Sequence, residues 1–258
     1  MGNSEIIIEK NNHKGYITLN RTAENNAFGI EFAVLLNQAL KDFDNDDEVR
    51  VVIIRNNGKH FSVGIDLKVL ESVEDEKLLE FIALMDMHNH TIANMKKPVI
   101  SSVKGYCVAN GAGLSFACDL TVAAQSAVFG TTAVNVGLIC TGPGIPLTKN
   151  IGKKKAMEMV LLGERFTAEM MHGMGLVNWV VPDDELEKKT DEIADAIAAK
   201  SPLAVSAGKR GISGSYDMGY HAAIDNGTRV FAELCATEDA AEGIRAFLEK
   251  RKAEWKLR

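Results

Sequence analysis

The sequence predicts an α/β fold, with strand–helix units up to about Ala156 and helices beyond it. Three observations predict this class. Short apolar runs rich in β-branched residues alternate with longer segments in which apolar residues recur at helical spacing. No low-complexity linker or internal repeat divides the chain, and helical patterns dominate after Ala156. Repeated strand–helix units favour a mainly parallel core sheet.

The individual elements are assigned from apolar spacing and from the turn residues between them. In order, the first part is predicted to contain strands at Glu5–Glu9 and Gly15–Leu19, a helix at Glu31–Phe43, a strand at Val51–Arg55, a helix at Glu76–Met95, and strands at Val99–Val103 and Leu120–Ala124. The first two strands form a hairpin, and a glycine-rich turn with its helix separates the last two. The second part is predicted as helices near 167–174, 183–199, 202–213, 218–235 and 237–249.

The composition indicates one catalytic domain with a short appendage. The chain has 258 residues and an apolar content of 46%, enough to bury a sizeable core. The net charge of −6 and the lack of a basic stripe beside aromatic residues argue against nucleic acid as a partner. No apolar run is long enough to span a bilayer, and the polar opening Met1–Glu5 lacks a signal-peptide pattern. We therefore expect a cytoplasmic protein with no membrane partner.

Cysteines and histidines give no sign of a metal site. The four cysteines lack paired Cys-x-x-Cys spacing, which argues against both a zinc site and a disulfide framework. The histidines outside the helix before Pro98 show no metal-ligand spacing either. We therefore predict no metal.

Two glycine-centred turns carry the most specific signal in the chain. The first lies in Phe61-Ser-Val-Gly-Ile-Asp-Leu-Lys68, and the second lies in Val103–Asp119, which contains Ala-Asn-Gly-Ala-Gly. Each turn alone is typical of a tight strand-to-helix connection. Together with the tail Phe247-Leu-Glu-Lys-Arg-Lys252, they resemble the enoyl-CoA hydratase/isomerase (crotonase) superfamily over essentially the whole chain.

The resemblance implies a fold and an assembly. It implies a crotonase-like ββα spiral core that binds acyl-CoA over residues 1–195, and a C-terminal helical trimerisation region over residues 196–258. In the resembled family such helices build trimers that often pair into hexamers, so a homotrimer or hexamer is expected. No cofactor is implied beyond coenzyme A as part of the substrate.

The resemblance also implies an oxyanion hole. Reactions at the carbon next to a thioester carbonyl build negative charge on the thioester oxygen, which two preorganised donors can stabilise. By resemblance, these donors are the backbone amides of Ile65, after Gly64, and of Asn110, where family members usually have glycine. Asparagine tolerates unusual backbone angles, so the turn is expected to survive with a side chain able to enter the pocket.

The same resemblance implies the residues that contact coenzyme A. One loop borders the adenosine part, the stretch after Gly64 contacts adenine and phosphates, and the tail reaches a nucleotide that commonly belongs to a neighbouring subunit. The implied contact residues are Ala23, Asn25, Ile65, Asp66, Leu67, Lys68, Phe247 and Lys250.

The chain departs from the family where its hydratases carry two glutamates, which hold and activate water. By resemblance, Gly113 and Ala133 occupy those two positions. Other members place an aspartate where this chain has Thr141. Hydration by the two-glutamate route is therefore disfavoured.

Asp86 and His90 are the candidate replacements. They lie four residues apart on a predicted helix and so share a face, where a carboxylate can orient an imidazole as a general base. His90 also matches a histidine of the 4-chlorobenzoyl-CoA dehalogenases, but Thr141 and Ala133 replace their aspartate nucleophile and their tryptophan. A solvated ion pair on a helix face is an equally good interpretation. Thr141 could orient a water or a substrate carboxylate, whereas Cys140 is expected to pack.

Three functions remain open at this point. The first is a lyase or isomerase, of hydratase or decarboxylase type, that stabilises a thioester enolate of an acyl-CoA with a cyclic, branched or carboxylated acyl part. The second is an acyl-CoA hydrolase or dehalogenase-like enzyme that uses His90. The third is a catalytically silent acyl-CoA-binding subunit. The catalytic candidates are Ile65, Asn110, Asp86, His90 and Thr141.

Overall fold

The computed structural model describes residues 4–258, which form nine β-strands and eleven α-helices. The strands are β1 (Ile6–Asn11), β2 (Lys14–Leu19), β3 (Val51–Asn56), β4 (Val99–Val103), β5 (Tyr106–Val108), β6 (Leu120–Ala124), β7 (Val128–Gly130), β8 (Phe166–Thr167) and β9 (Trp179–Val181). The helices are α1 (Ile30–Asn45), α2 (Leu67–Glu71), α3 (Leu78–Asn94), α4 (Asn110–Ala117), α5 (Thr141–Ile151), α6 (Lys153–Leu162), α7 (Ala168–Gly173), α8 (Leu186–Ala198), α9 (Pro202–Gly214), α10 (Tyr220–Cys235) and α11 (Glu238–Leu248).

A six-stranded sheet in the order β1-β2-β3-β4-β6-β9 forms the centre of the fold. Strands β1 and β2 pair antiparallel as the predicted hairpin, and every other neighbouring pair in this sheet is parallel. In the hairpin turn, Asn12 and His13 have φ angles of 47° and 62°, a combination that suits the twist of the paired strands. The predicted α/β class with a mainly parallel core sheet is therefore confirmed.

The central sheet is covered on both faces, which explains the unbroken apolar run of β3. Val52 and Ile54 belong to the larger core, to which α1, α3 and α4 contribute. Val51 and Ile53 belong to a second core on the opposite face, where α8 packs through residues that include Ala194. Strands buried on both faces need apolar residues at every position rather than at alternate ones.

A second sheet, in the order β5-β7-β8, positions the glycine-rich turn. Its strands contain only two or three residues each, too few for a periodic pattern, so the sequence did not predict them. Strand β5 leads directly into α4, and Ser62 forms a parallel bridge with Cys107 of β5. The segment that follows Ser62 therefore lies beside the start of α4.

The C-terminal part differs from its prediction. Helices already occupy Thr141–Ile151 and Lys153–Leu162, where prolines in the first of them hide the helical pattern. Strands β8 and β9 interrupt the region predicted as helical, and β9 pairs with β6 to extend the central sheet. The predicted boundary between residues 195 and 196 falls inside α8, which packs against that sheet. The part that could form a separate helical region therefore begins with α9.

The last three helices carry large apolar side chains on their exposed surfaces. Tyr220 is 76% exposed, Phe231 is 67% exposed and Phe247 is 82% exposed. Clustered exposed apolar groups mark surfaces that contact another molecule. Within residues 4–258, no helix combines the length and the apolar character that crossing a membrane requires.

A polar network ties β2 to α8. Lys14 is buried, and its Nζ lies 2.7 Å from Oδ1 of Asp195 and 3.5 Å from Oδ1 of Asp191. The hydroxyl of Tyr16 donates a hydrogen bond of 2.6 Å to Asp191. Burial, together with this hydrogen bond, raises the pKa of Tyr16 to about 12. These contacts connect the helix to the face of the sheet that lies away from the larger core.

We expect Tyr16→Phe to lower the free energy of unfolding by about 1 kcal/mol near neutral pH, because Asp191 loses its donor. A phenol with a raised pKa stabilises the folded state below its ordinary value of 10.0 and loses this contribution as the pH rises through about 12. The difference in the free energy of unfolding between the parent protein and Tyr16→Phe should therefore shrink as the pH rises from 10.0 to about 12. Chemical unfolding followed by circular dichroism measures this difference. Tyr216→Phe, at an exposed position in the turn after α9, is the control, and equal losses in both variants would contradict the role of Asp191.

Candidate active site

Two backbone turns meet at the start of α4. Ser62 donates its amide to Tyr106 O and accepts from Val108 N, both at 3.0 Å, so the segment after Ser62 runs beside β5. Gly64 has a φ of 95°, and a Cβ at this position would lie 2.6 Å from the Cβ of Ala109. Only glycine allows both this conformation and this approach.

The meeting of the turns leaves two amides without acceptors. Within residues 4–258, neither Ile65 N nor Asn110 N donates a hydrogen bond, although the neighbouring amides of Asp66 and Ala109 donate to Phe28 O and Gly130 O at 3.0 and 2.8 Å. Asn110 is the first residue of α4, where backbone amides have no partner inside the helix. Ala109 has φ 50° and ψ −125°, a strained conformation that sets the direction of the next amide. Such an arrangement can stabilise a developing oxyanion.

A cavity of about 490 Å³ opens next to these amides. Most of its lining is apolar, and the polar groups are few. The lining residues are Val63, Ile65, Leu67, Leu70, Leu78, Ile82, Asp86, Ala109, Asn110, Thr132, Ala133, Val136, Leu138, Ile139, Cys140, Thr141, Gly142 and Pro143. An apolar cavity with a few convergent polar groups is the usual form of a small-molecule site. Within the described chain, no group of His, Cys, Asp and Glu side chains could hold a metal ion.

Asp86 provides the carboxylate of the cavity. Its side chain is half-buried on α3 and lies against Gly142, where a Cβ would come within 2.5 Å of the Asp86 Cγ. Burial raises the pKa of Asp86, and the charge of His90 acts in the opposite direction. A carboxyl group with a raised pKa can accept and return a proton near neutral pH.

Asp86 and His90 line different depressions. Leu78, Ile82 and Asp86 recur at every fourth residue of α3 and line the cavity. His90 follows Asp86 by one such step, which turns only about 40° around the helix axis, and its charge acts on the Asp86 carboxyl. His90 is nevertheless exposed and lines a different surface depression, of about 340 Å³, together with residues that include Lys41. Of the predicted pair, Asp86 lines the cavity, and the joint action of the two side chains stays a prediction.

The side chain of Asn110 does not extend freely into the cavity. Its Nδ2 donates a hydrogen bond of 2.8 Å to the Met85 carbonyl on α3. This bond connects the helix that carries the free amide to the helix that carries Asp86. The expectation that the side chain can enter the pocket is met only in part, because its donor is engaged elsewhere.

The two positions that carry glutamates in the resembled hydratases differ in their surroundings. Ala133 lines the cavity, with open space beside it. Gly113 faces the Pro143 ring, and a Cβ at this position would lie 2.9 Å from its Cγ. Packing therefore leaves no space for a side chain at Gly113, whereas Ala133 has open space beside it.

Thr141 and Cys140 lie at the beginning of α5. Thr141 is exposed and lines the cavity. Cys140 is buried, and burial raises the pKa of its thiol, with the Asp86 charge adding to the effect. The thiol stays protonated near neutral pH, so Cys140 packs rather than acting as a nucleophile.

Some of the residues implied for coenzyme A lie close together at the start of α2. Arg21 donates a hydrogen bond of 2.9 Å to Asp66, which also accepts the Lys68 amide at 3.0 Å. Burial acts to raise the pKa of Asp66, but these two hydrogen bonds hold that pKa below its usual range. The contact with Arg21 brings the exposed loop of Ala23 and Asn25 beside the start of α2.

The remaining implied contacts lie on exposed surfaces. Leu67 is 51% exposed and lines the cavity mouth, and Lys68 is exposed beside it. Phe247 lies in the last turn of α11 and Lys250 follows the helix, and neither lines the cavity of this chain.

His88 is a buried residue that the sequence did not single out. It is completely buried, its ring lies 5.5 Å from that of Phe28, and neither ring nitrogen makes a well-formed hydrogen bond within residues 4–258. Burial lowers its pKa to about 4, although the Met85 carbonyl acts in the opposite direction. The ring is therefore neutral and packs behind the cavity.

Comparison with known proteins identifies related chains. A sequence profile of the enoyl-CoA hydratase/isomerase family matches residues 9–258. A probable mitochondrial enoyl-CoA hydratase of Dictyostelium discoideum is 35% identical over 96% of this chain and 89% of its own. The 2,3-dehydroadipyl-CoA hydratase of Escherichia coli is 33% identical over 99% of this chain and 100% of its own. The crystal structure of an enoyl-CoA hydratase from Mycobacterium smegmatis superposes with a TM-score of 0.94 at 32% identity, covering 97% of this chain and 98% of that one.

We expect Gly111→Ala to destabilise the protein by about 1–3 kcal/mol, because the new Cβ would lie 2.6 Å from the Ser62 carbonyl oxygen. Backbone at this contact cannot rotate away as a side chain can. Gly144→Ala is a matched control in α5, where the new Cβ meets only Val160 Cγ2, at 3.4 Å. It should be neutral or mildly stabilising. Thermal unfolding measures both, and equal midpoints would contradict the close approach of the turns.

Proposed function

The chain belongs to the enoyl-CoA hydratase/isomerase family, and from this premise we propose that it shifts the double bond of an enoyl-CoA. The observation that carries the proposal is a single half-buried carboxylate, Asp86, in the same cavity as the free amides of Ile65 and Asn110. A double-bond shift needs one group that removes a proton and returns it elsewhere, together with a site for the enolate oxygen.

The proposed reaction has two proton transfers. The Asp86 carboxylate removes a proton from carbon 2 of a 3-enoyl thioester, and the electrons of the C–H bond move toward the carbonyl. The amides of Ile65 and Asn110 donate to the resulting enolate oxygen. The protonated Asp86 then returns the proton to carbon 4, and the double bond comes to lie between carbons 2 and 3. Atoms and electrons balance without water or a redox partner.

The raised pKa of Asp86 supports this role. Burial brings the pKa of the carboxyl upward from its ordinary value of 3.8, toward the range in which proton transfer from carbon is most effective. Gly142 leaves room for the carboxylate at the start of α5. The proposal uses neither His90, which lines another depression, nor the protonated thiol of Cys140.

Hydration is the second candidate, and the names of the relatives favour it. In that case Asp86 would activate a water held near Thr141, and the oxyanion hole would have the same role. The two candidates differ in product mass, because hydration adds one water and isomerisation adds nothing. A silent acyl-CoA-binding subunit would give neither product.

Binding of coenzyme A and oligomerisation complete the proposal. The loop of Ala23 and Asn25, together with Asp66, Leu67 and Lys68, would hold the nucleotide outside the cavity mouth. The exposed apolar surfaces of α9, α10 and α11 support a homotrimer or hexamer. Phe247, in the last turn of α11, and Lys250, which follows the helix, would then contact coenzyme A on a neighbouring subunit.

We expect purified protein to convert 3-hexenoyl-CoA into 2-hexenoyl-CoA without a change of mass, as followed by chromatography and mass spectrometry. Asp86→Asn should lower kcat/KM by roughly a hundredfold or more while the binding of hexanoyl-CoA persists. Glu80→Gln removes the same charge from an exposed position of α3 and should retain activity. Full activity of Asp86→Asn would overturn the role of Asp86. With 2-hexenoyl-CoA as the substrate, a product heavier by one water, together with no conversion of 3-hexenoyl-CoA, would favour hydration over isomerisation.

Asp86→Asn should also be more stable than the parent protein at neutral pH. Because the folded state raises the pKa of Asp86 above 3.8, the unfolded chain ionises first as the pH rises, and the folded state loses stability through that range. Asp86→Asn removes this penalty, so the free energy of unfolding should rise by up to about 1 kcal/mol at pH 7, with screening by the open cavity limiting the gain. The gain should vanish at pH values below 3.8, the ordinary pKa of the aspartate carboxyl. Urea unfolding at pH 7 and below pH 3.8 measures the gain, and a less stable variant at pH 7 would refute the desolvation argument.

A further inference from the structure

We infer that the cavity selects uncharged, apolar acyl chains and that Asp86 excludes acyl chains that end in a carboxylate. The inference deepens the proposed function, on which it rests for the placement of the acyl group in this cavity. It concerns binding, so it can be tested without turnover.

The charge of the lining is the first argument. Among the described residues that line the cavity, none is a lysine, arginine or histidine. Asp86 is the lining carboxylate, and the other ionisable lining group, Cys140, stays neutral because burial raises the pKa of its thiol. A second carboxylate in this space would meet a like charge with no lining cation to offset it.

The hydrogen-bonding groups of the lining are the second argument. A buried carboxylate needs several donors to replace its water. The side-chain amide of Asn110 already donates to the Met85 carbonyl. The free backbone amides of Ile65 and Asn110 are assigned to the thioester oxygen. The hydroxyls of Thr132 and Thr141 are therefore the side-chain donors that the lining still offers, and two hydroxyls do not compensate a desolvated charge.

The exposed apolar side chains around the cavity are the third argument. Val136 is 59% exposed, Ile139 is 49% exposed and Leu138 is 44% exposed, all on the segment before α5. Across the cavity, Ile82 on α3 is 37% exposed. An apolar acyl chain between these two walls would cover surface that is otherwise in contact with water. A carboxylate among them would instead lose its hydration.

The test compares two saturated six-carbon ligands that carry no double bond to shift. Hexanoyl-CoA and adipoyl-CoA differ only at the far end of the acyl chain, where a carboxylate replaces a methyl group. Calorimetry on the 258-residue protein at pH 8 measures their dissociation constants. We expect adipoyl-CoA to bind on the order of 100-fold more weakly. In Asp86→Asn the ratio should fall to about tenfold or less, because the repulsion disappears while the desolvation cost remains. Glu80→Gln should leave the ratio unchanged.

Each outcome decides the inference. Equal or tighter binding of adipoyl-CoA overturns it, and so does an unchanged ratio in Asp86→Asn. Failure of both ligands to bind overturns it together with the proposed acyl site. A preference for hexanoyl-CoA that Asp86→Asn removes, in a protein that does not convert 3-hexenoyl-CoA, leaves the inference standing and overturns the proposed isomerisation alone.

Discussion

The close approach of two backbone turns is the constraint on which the rest of the site depends. A Cβ on Gly111 would lie 2.6 Å from the Ser62 carbonyl oxygen, and a Cβ on Gly64 would meet Ala109 at the same distance. Ala109 itself holds a backbone conformation that persists only where surrounding contacts enforce it. The bridge between Ser62 and Cys107 supplies that enforcement, because it fixes one turn to the short strand that leads into the other. Two amides without acceptors are the result of this packing.

The ionised carboxylate in the cavity lowers the stability of the fold, and its position in the cavity indicates a functional reason for its presence. Asp86 is half-buried and its pKa is raised, so ionisation at neutral pH opposes folding. Natural proteins retain such unfavourable groups mainly where function requires them. By contrast, the buried Lys14 lies close to two aspartates, and its network connects secondary-structure elements far from the cavity. Lys14, a buried charge with close partners, therefore belongs to a structural ion cluster. Asp86, a half-buried charge without a salt-bridge partner in the described part of the chain, is a candidate catalytic group.

Sequence patterns predict those features that depend on local spacing. The hairpin, the parallel core strands and the glycine turns all follow from such patterns, whereas Ile65 and Asn110 were implied only by the family resemblance that the turns carry. The depression that each of Asp86 and His90 lines did not follow, because their spacing places them on one side of α3 but does not show which other segments pack around each of them. Strands of two or three residues, such as Phe166–Thr167, carry no period and form only because a neighbouring strand supplies hydrogen bonds.

The first turn of α5 helps to decide which acid–base groups the cavity can contain. It lies between α3 and α4, with Gly142 against Asp86 and the Pro143 ring against Gly113. A glutamate at position 113 would therefore require α5 to move, and that movement would also remove the surface against which Asp86 lies. Ala133 meets no such obstacle, because it borders open cavity. The packing of α5 thus links the lack of space at Gly113 to the placement of Asp86. Replacing the side chains at positions 113 and 133 is therefore not sufficient to restore the two-glutamate arrangement.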